Sequence, residues 1–529
     1  MTMNKFLKYI YAGCIALSAT ACSDLEQMNV SPNNASAVPS NMLMEGAQKW
    51  TMDNIYDVWF SGRQCLAYAQ QWSQINYTEE DRYQIRESVN NSYFNYLYQG
   101  IANFDKVIKE NQNNHAATNS AYGANANQIA AAKIMKVWLM DVITDTWGNV
   151  PYSEVAKLED EGILYAAYDD QKDIYTNMIN ELTEAVNMID ENEVAFTSGD
   201  IIYNGDASKW KKFGNSLKCR LAIHLSKVDS NWKTYIKEAL ASGVMTSNDD
   251  AANFKYVSSG TDYCKLYEGY FVDRRNDFSL NKTLADLLKG QPDTLNQKSH
   301  PWEGVVDPRL QIYSSPNANG DYNGMAVATQ TGIQAKLYSQ DKVTSWYSNP
   351  PLCLTKNFAV PLMTYAEQKF IEAEYNGYNK SDYEEGVRAS IEYWSNLAGG
   401  VISAEDIDTY VSAVSGRVDA ETVAIQKYLD LFCNGTEAWT EIRRTGYPEQ
   451  IVRPNEYSAI LGTTKYKFSP LSETKGDIIS RVKYPTNEST LNGANWKAAV
   501  AKLQDGTNNY YSKMYWDVRT STYDHPANK

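Results

Sequence analysis

The residues able to do covalent or metal chemistry are few and scattered. The chain has seven cysteines and four histidines in 529 residues. Cys14 and Cys22 lie in the N-terminal segment. The other five, Cys65, Cys219, Cys264, Cys353 and Cys433, are far apart, contain no Cys-x-x-Cys pair, and have too few histidines to complete a zinc site. We therefore expect no metal and no cofactor. No Gly-x-Ser-x-Gly nucleophile stands in helical context, and no His-rich metal motif occurs. Carboxylates are abundant, but a glycosidase needs two of them facing each other about 5 to 9.5 Å apart, and sequence does not show distance. Asp145 stands at a helix end and reads as a capping or turn residue. His224 sits on an apolar stripe and reads as a satisfied core histidine.

The rings say more. Tyr outnumbers Phe by 39 to 13, and a ring with a polar tip suits a half-wet surface. From residue 246 to about 350, helical periodicity fades apart from Leu280 to Leu288, and Gly, Asn, Ser and Pro accumulate. Tyr263, Tyr267, Tyr270, Tyr313, Tyr322, Trp346 and Tyr347 fall there without a period. Such rings either pack in small loop clusters or present their faces to a ligand from a rigid scaffold. The expected ligand contacts are Tyr322, Trp346 and Tyr347, then Trp72 and Tyr77. Tyr322 lies between Gly320 and Gly324, which leaves the backbone open to close approach. Trp346 and Tyr347 precede Pro350 and Pro351, whose fixed φ can hold the rings at one angle.

The elements that must position these rings are helices. Val423, Ile425, Tyr428, Leu429 and Phe432 make one apolar face. Gly435 reads as the left-handed cap that ends this helix. A short second helix follows, with Trp439 and Ile442 inward, Glu441 and Arg444 outward, and a stop at Gly446-Tyr447-Pro448. Inward faces recur at Phe94, Leu97, Ile101, Phe104 and Ile108; at Ile174, Met178, Leu182, Val186 and Ile189; and at Trp210, Phe213, Leu217, Leu221 and Leu225. Ser381 and Glu384 have the spacing of a capping box. Helix, short turn, helix over about 34 residues is the tetratricopeptide unit. The expected fold is mainly α: tetratricopeptide-like helical hairpins with a long irregular insertion at about 246–350 and few short strands.

The N-terminus is a targeting segment. Lys5 and Lys8 precede an apolar run from Tyr9 to Ala21, too short for a permanent span. Ala19-Thr20-Ala21-Cys22 resembles a bacterial lipobox, with Ala19 where Leu is usual. Ser23, Asp24 and Glu26 resemble surface-export signals of Bacteroidetes lipoproteins. Residues 1–21 are then a signal peptide, 22–40 a flexible tether, and 41–529 one helical domain. The net charge of −15 argues against a nucleic-acid partner.

Several stretches resemble the SusD/RagB-like outer-membrane lipoproteins. They are NGTEAWTEIRRTGYP at 434–448, DTWGNVPYSE at 145–154 (Asn149 where Asp is commoner), WKKFGNSLKCRLAIHL at 210–225, DPRL at 307–310, TYAEQKFIEAEY at 364–375, YPTNE at 484–488 and YWD at 515–517. Ser480-Arg481 stands where the family has Arg-Arg. The motifs occur in family order over nearly the whole mature chain. The resemblance implies a protein that does no chemistry, captures an oligosaccharide or oligopeptide at the cell surface, and passes it to a SusC-like, TonB-dependent barrel. A surface glycoside hydrolase and a purely structural scaffold are the readings from other classes.

Lipidation of Cys22 has a direct test. Two or more acyl chains anchor stably, so Cys22→Ala should move the protein from the membrane fraction to the soluble one. A variant still membrane-bound after a high-salt wash would rule that anchor out.

Overall fold

Long amphipathic runs dictate the framework. In the computed structural model, which describes residues 38–113, 115–346 and 350–529, the first six long helices are α1 (Ser40–Ile55), α2 (Glu87–Glu110), α3 (Asn125–Trp147), α4 (Gln171–Met188), α5 (Ala207–His224) and α6 (Trp232–Ser242). Each packs on the next along the chain. The inward faces of α2, α4 and α5 fall on the residues that periodicity marks. α3 differs: from Ile134 to Trp147 it is buried almost all round, as befits a helix in the middle of a stack. Cys22 and Tyr347 lie outside the described residues.

After two short helices, α7 (Lys282–Leu288) and α8 (Thr331–Gln340), the stack resumes with α9 (Tyr365–Tyr375), α10 (Lys380–Leu397), α11 (Ala404–Val414), α12 (Ala420–Asp430) and α13 (Gly435–Thr445). Side chains cap them: Thr364 for α9, Asn379 for α10, Ser403 for α11, and an Asp419–Thr422 box for α12. The cap of α10 is thus Asn379, two residues before the expected Ser381, because the helix starts at Lys380 and Ser381 is already inside it. α8 is a helix that periodicity does not reveal. Its inner face includes the buried amide of Gln334, which donates to the carbonyls of Gln74 and Ala326 at 3.0 and 2.7 Å.

Helix makes up about 51% of the described residues, and the strands among them form four two-stranded antiparallel sheets. β1 (Trp72–Gln74) pairs with β5 (Phe278–Leu280), β2 (Val150–Pro151) with β3 (Tyr168–Asp169), β4 (Ala252–Lys255) with β6 (Ala359–Met363), and β7 (Tyr457–Leu461) with β8 (Thr464–Lys467). The β4–β6 pairing means that the loop-rich excursion leaves and rejoins the helical stack at one place. Residues 40–529 form one compact unit, and the architecture is the expected mainly α one.

The α12–α13 hairpin departs from its sequence reading in two ways. The left-handed residue in the turn is Cys433, at φ 65°, and Gly435 is the first residue of α13. Gly435 is needed for room: a Cβ there would lie 2.7 Å from the Leu66 backbone nitrogen. Secondly, Glu441 and Arg444 do not face solvent. Both are buried because α13 is enclosed on every side. The Arg444 guanidinium donates to both carboxylates of Glu374 and Glu441 at 2.7–2.8 Å.

Around α13 the buried charges join into one network. His224 Nε2 is 3.0 Å from Glu437 Oε1, and its Nδ1 is 3.0 Å from the Tyr175 hydroxyl. Tyr175 and the Trp516 indole donate to Asp145 at 2.8 and 3.0 Å. Arg220 makes a two-pronged pair with Glu367, both contacts at 2.6 Å. Lys427 Nζ lies 3.3 Å from Glu441. Asp145 is therefore not a lone end-of-helix carboxylate; Asp141, one turn earlier, adjoins the same imidazole. His224 is the satisfied core histidine expected. Burial on its own would push its pKa down, but Glu437, Asp145 and Asp141 outweigh that and hold it above the ordinary value.

The sign of the linkage follows. A raised folded pKa gives stability that is complete below the unfolded value of about 6.5 and is lost as pH rises through the folded value. Breaking such a buried pair costs about 3–5 kcal/mol. Chemical denaturation of His224→Gln at pH 6 should show that loss, and the gap to the parent should narrow as pH rises toward 9. A gap independent of pH would mean that His224 is neutral in the fold.

Candidate binding face

The loop-rich excursion is fastened to the N-terminal part of the chain through a π-helical turn, Val58–Cys65. Asp57 caps it, accepting from the backbone amides of Trp59 and Phe60 at 3.1 and 2.7 Å. A π-turn re-aims the side chains it carries and is frequent at functional sites. Here it turns Trp59 half outward and Arg63 inward. The Arg63 guanidinium lies 4.8 Å from the Trp59 ring centre and 6.0 Å from that of Tyr77. It pairs with Asp277 at 2.9 Å, and its Nε has no hydrogen-bond partner among the described residues. Arg86 also lies over Trp59, at 5.6 Å. Tyr77 is 51% exposed and sits at φ 57°, a backbone region that a bulky residue seldom occupies and that recurs at ligand sites.

A second π-helical turn, Glu268–Val272, packs on the first. A glycine is required at 269, since a Cβ would lie 2.4 Å from Val58 Cγ2. Along this segment Tyr263, Tyr267 and Phe271 form a partly exposed row at helical spacing. Ring centres are 5.3 Å apart for the first pair and 5.2 Å for the second. Lys356 lies over Tyr263 and Tyr267, at 5.7 and 5.5 Å. The chain then continues into Asp277, the partner of Arg63, and into β5 beside β1. Two sets of rings, Trp59–Tyr77 and Tyr263–Tyr267–Phe271, are thus held by adjoining backbone.

The residues chosen from sequence divide. Tyr77 is on this face. Tyr322 is half-buried on a loop tied to the end of α8, where Asn323 donates to the Asp341 carbonyl at 2.8 Å. Beside it a cavity of ≈ 370 Å³ is lined by Lys282, Asp286, Asn323, Asp341 and Ser458, among others. Gly324 does not open the backbone to a ligand; the room for its missing side chain is filled by the Lys282 backbone, 2.6 Å from a built Cβ. Trp72 and Trp346 are fully buried and meet edge to face at 5.3 Å. Neither offers a ring face to a ligand, which corrects the expectation. The polar residues beside Trp72 are themselves buried: Gln70 and Gln71 donate to the carbonyls of Val452 and Leu431 at 2.7 and 3.0 Å. Trp346 donates to Ser314 Oγ at 3.1 Å. Sequence reasoning passed over Trp59 and Phe271. The i, i+4 spacing of Tyr263 and Tyr267 was the available signal, hidden because the row lasts only two turns.

A family model described as starch-binding and associating with the outer membrane, SusD-like, matches residues 32–485. The chain belongs to this SusD-like family. No curated protein matches it. Among solved structures, a chitin-binding protein is similar at 25% identity with a TM-score of 0.68, over 90% of this chain and 100% of that one. A SusD homologue from Parabacteroides distasonis is similar at 21% identity and a TM-score of 0.72, over 90% of this chain and 98% of that one. A chitin-binding SusD homologue from Flavobacterium johnsoniae is similar at 21% identity and a TM-score of 0.66, over 90% and 99%. None of the described helices is long and apolar enough to cross a membrane.

Packing rings and ligand rings separate by stability. Trp346→Ala should lower unfolding free energy by about 3–5 kcal/mol, the usual cost of emptying a large core site. Tyr77→Ala should stay within about 0.5 kcal/mol, as exposed substitutions do. Urea denaturation reads both, and a Trp346→Ala protein as stable as the parent would contradict the packing assignment.

Proposed function

We propose that this protein captures an oligosaccharide on the aromatic face formed by Tyr263, Tyr267, Phe271, Trp59 and Tyr77, with Tyr322 as an outlying contact. The observation that carries the reading is the row of partly exposed rings at about 5 Å intervals, in a chain whose family is described as starch-binding. The apolar face of a sugar stacks on a ring, and hydroxyls at its edge meet Arg86, Lys356 and backbone groups. The neighbours that bind chitin support a glycan over other ligands. Lipid on Cys22 would hold the body at the cell surface through the 22–40 tether, with 41–529 as a single capture domain. A SusC-like, TonB-dependent barrel would receive the ligand. Binding without turnover fits the site: the densest group of carboxylates, around His224, is buried, and the cavity beside Asp141 and Asp145 has a volume of only ≈ 10 Å³.

Calorimetry against starch, chitin and other oligosaccharides, with a peptide mixture alongside, tests this. Saturable glycan binding is expected, with about a thirtyfold loss for Tyr267→Ala, the effect of removing an anchor ring worth about 2 kcal/mol, and no change in melting temperature. Saturable binding of peptides alone would replace the glycan by an oligopeptide, and release of shortened sugars would make the protein a hydrolase. Recovery of the protein without a barrel, in several mild detergents, would remove the proposed partner.

A further inference from the structure

A second surface feature is built from residues other than those of the aromatic face. Between α2, the segment 154–166 and the turn Glu488–Asn492 lies a cleft of ≈ 640 Å³, within the range of pockets that seat a ligand or a side-chain cluster. Its rim is apolar and wet. Leu158, Leu164, Tyr165 and Leu491 line it and are 53%, 62%, 60% and 60% exposed. Large apolar side chains gathered in this way mark an interaction site. Phe94 and Tyr98 form the floor, with the Tyr98 hydroxyl already spent on the Pro151 carbonyl at 2.7 Å.

The polar groups on the wall give the occupant its charge. Glu154 Oε2 accepts from the Ala167 amide at 2.7 Å, and Glu488 Oε2 accepts from the Tyr168 hydroxyl at 2.8 Å. The second oxygen of each carboxylate has no partner among the described residues. Lys157, the one cation among the lining residues, is paired with Glu161 at 2.9 Å. Two half-buried carboxylates among leucines repel anionic lipid headgroups and favour a cation delivered on an apolar body. Of the rings in the cleft, Phe94 is buried and Tyr98 half-buried, so Tyr165 alone presents an open face, against the several that a sugar chain stacks on. We infer that this cleft docks a surface segment of a protein partner in which a bulky apolar side chain stands beside a Lys or Arg.

The test uses an array of immobilised dodecapeptides, each a Gly-Ser frame carrying Leu, Ile, Phe or Trp beside Lys, Arg, Gln or Glu. The intact protein should bind the apolar–basic members saturably and the apolar–acidic members at least tenfold more weakly. The double variant Glu154→Gln, Glu488→Gln should lose that preference, and Leu164→Asp should lose binding. All variants should keep the parent's melting temperature and its glycan affinity, so the outcome is independent of the aromatic face. Equal binding of basic and acidic members, no saturable binding of any member, or an unchanged preference in the double glutamine variant would overturn the assignment.

Discussion

The constraint on which the structure depends is the burial of charge on α13. Glu437, Glu441, Arg443 and Arg444 are all removed from water, and removing an ion from water costs several kcal/mol unless it is paired and hydrogen-bonded. Each is matched. Burial would raise the pKa of Glu437, yet His224, Arg220 and Lys427 hold it well below the usual carboxylate range. Burial pulls the Arg443 guanidinium down to about 10, and three contacts keep it charged: the Asp145 and Ser480 carbonyls at 2.9 and 2.8 Å, and the Trp439 ring, 3.5 Å away. These partners come from α3, α5, α9, α12 and the C-terminal segment. A register error in any one helix would strand a buried charge, so the network specifies one arrangement of the stack more strongly than apolar contacts, which tolerate repacking.

That arrangement reaches the aromatic face through backbone. Gly435 lets α13 sit against Leu66, at the end of the first π-turn. The Cys433 amide donates to Gln71 Oε1 at 3.0 Å, and the Tyr428 hydroxyl donates to the Ala69 carbonyl at 2.9 Å. Residues 65–71 are therefore clamped by the α12–α13 hairpin. Just before them stand Trp59 and Arg63; just after them comes β1, which carries β5 and with it the segment of Tyr263, Tyr267 and Phe271. The rings lie on irregular backbone, but the irregular backbone is held at both ends by helices.

This explains what the sequence revealed and what it concealed. Helix faces were readable because period and burial agree: Phe94, Leu97 and Ile101 point inward wherever the helix goes. Polarity misled where tertiary structure satisfies it internally. Glu441 and Arg444 looked like a surface pair, and Trp72 like a ligand contact; at both places buried hydrogen bonds, of Glu441 and of Gln71, replace water. Conversely, Tyr263 and Tyr267 looked aperiodic because their row is short. Ring exposure in loops depends on partners far away in sequence, as with Trp346, Trp72 and Tyr270, and local pattern carries no record of that.

The positions of charge and of rings also separate two kinds of group. The titratable residues Asp141, Asp145, His224, Glu437 and Glu441 are buried and joined in one hydrogen-bonded network. Perturbed pKa values accompany active sites, but structural ion networks produce them equally well. The groups open to solvent near the face are the rings of Tyr77, Tyr263 and Tyr267, the cations Arg86 and Lys356, and the acids Glu79, Asp262 and Asp273. Rings and cations can hold a ligand by stacking and hydrogen bonding. In this chain the buried ionic groups go into fixing a scaffold, and the aromatic face lies outside that network.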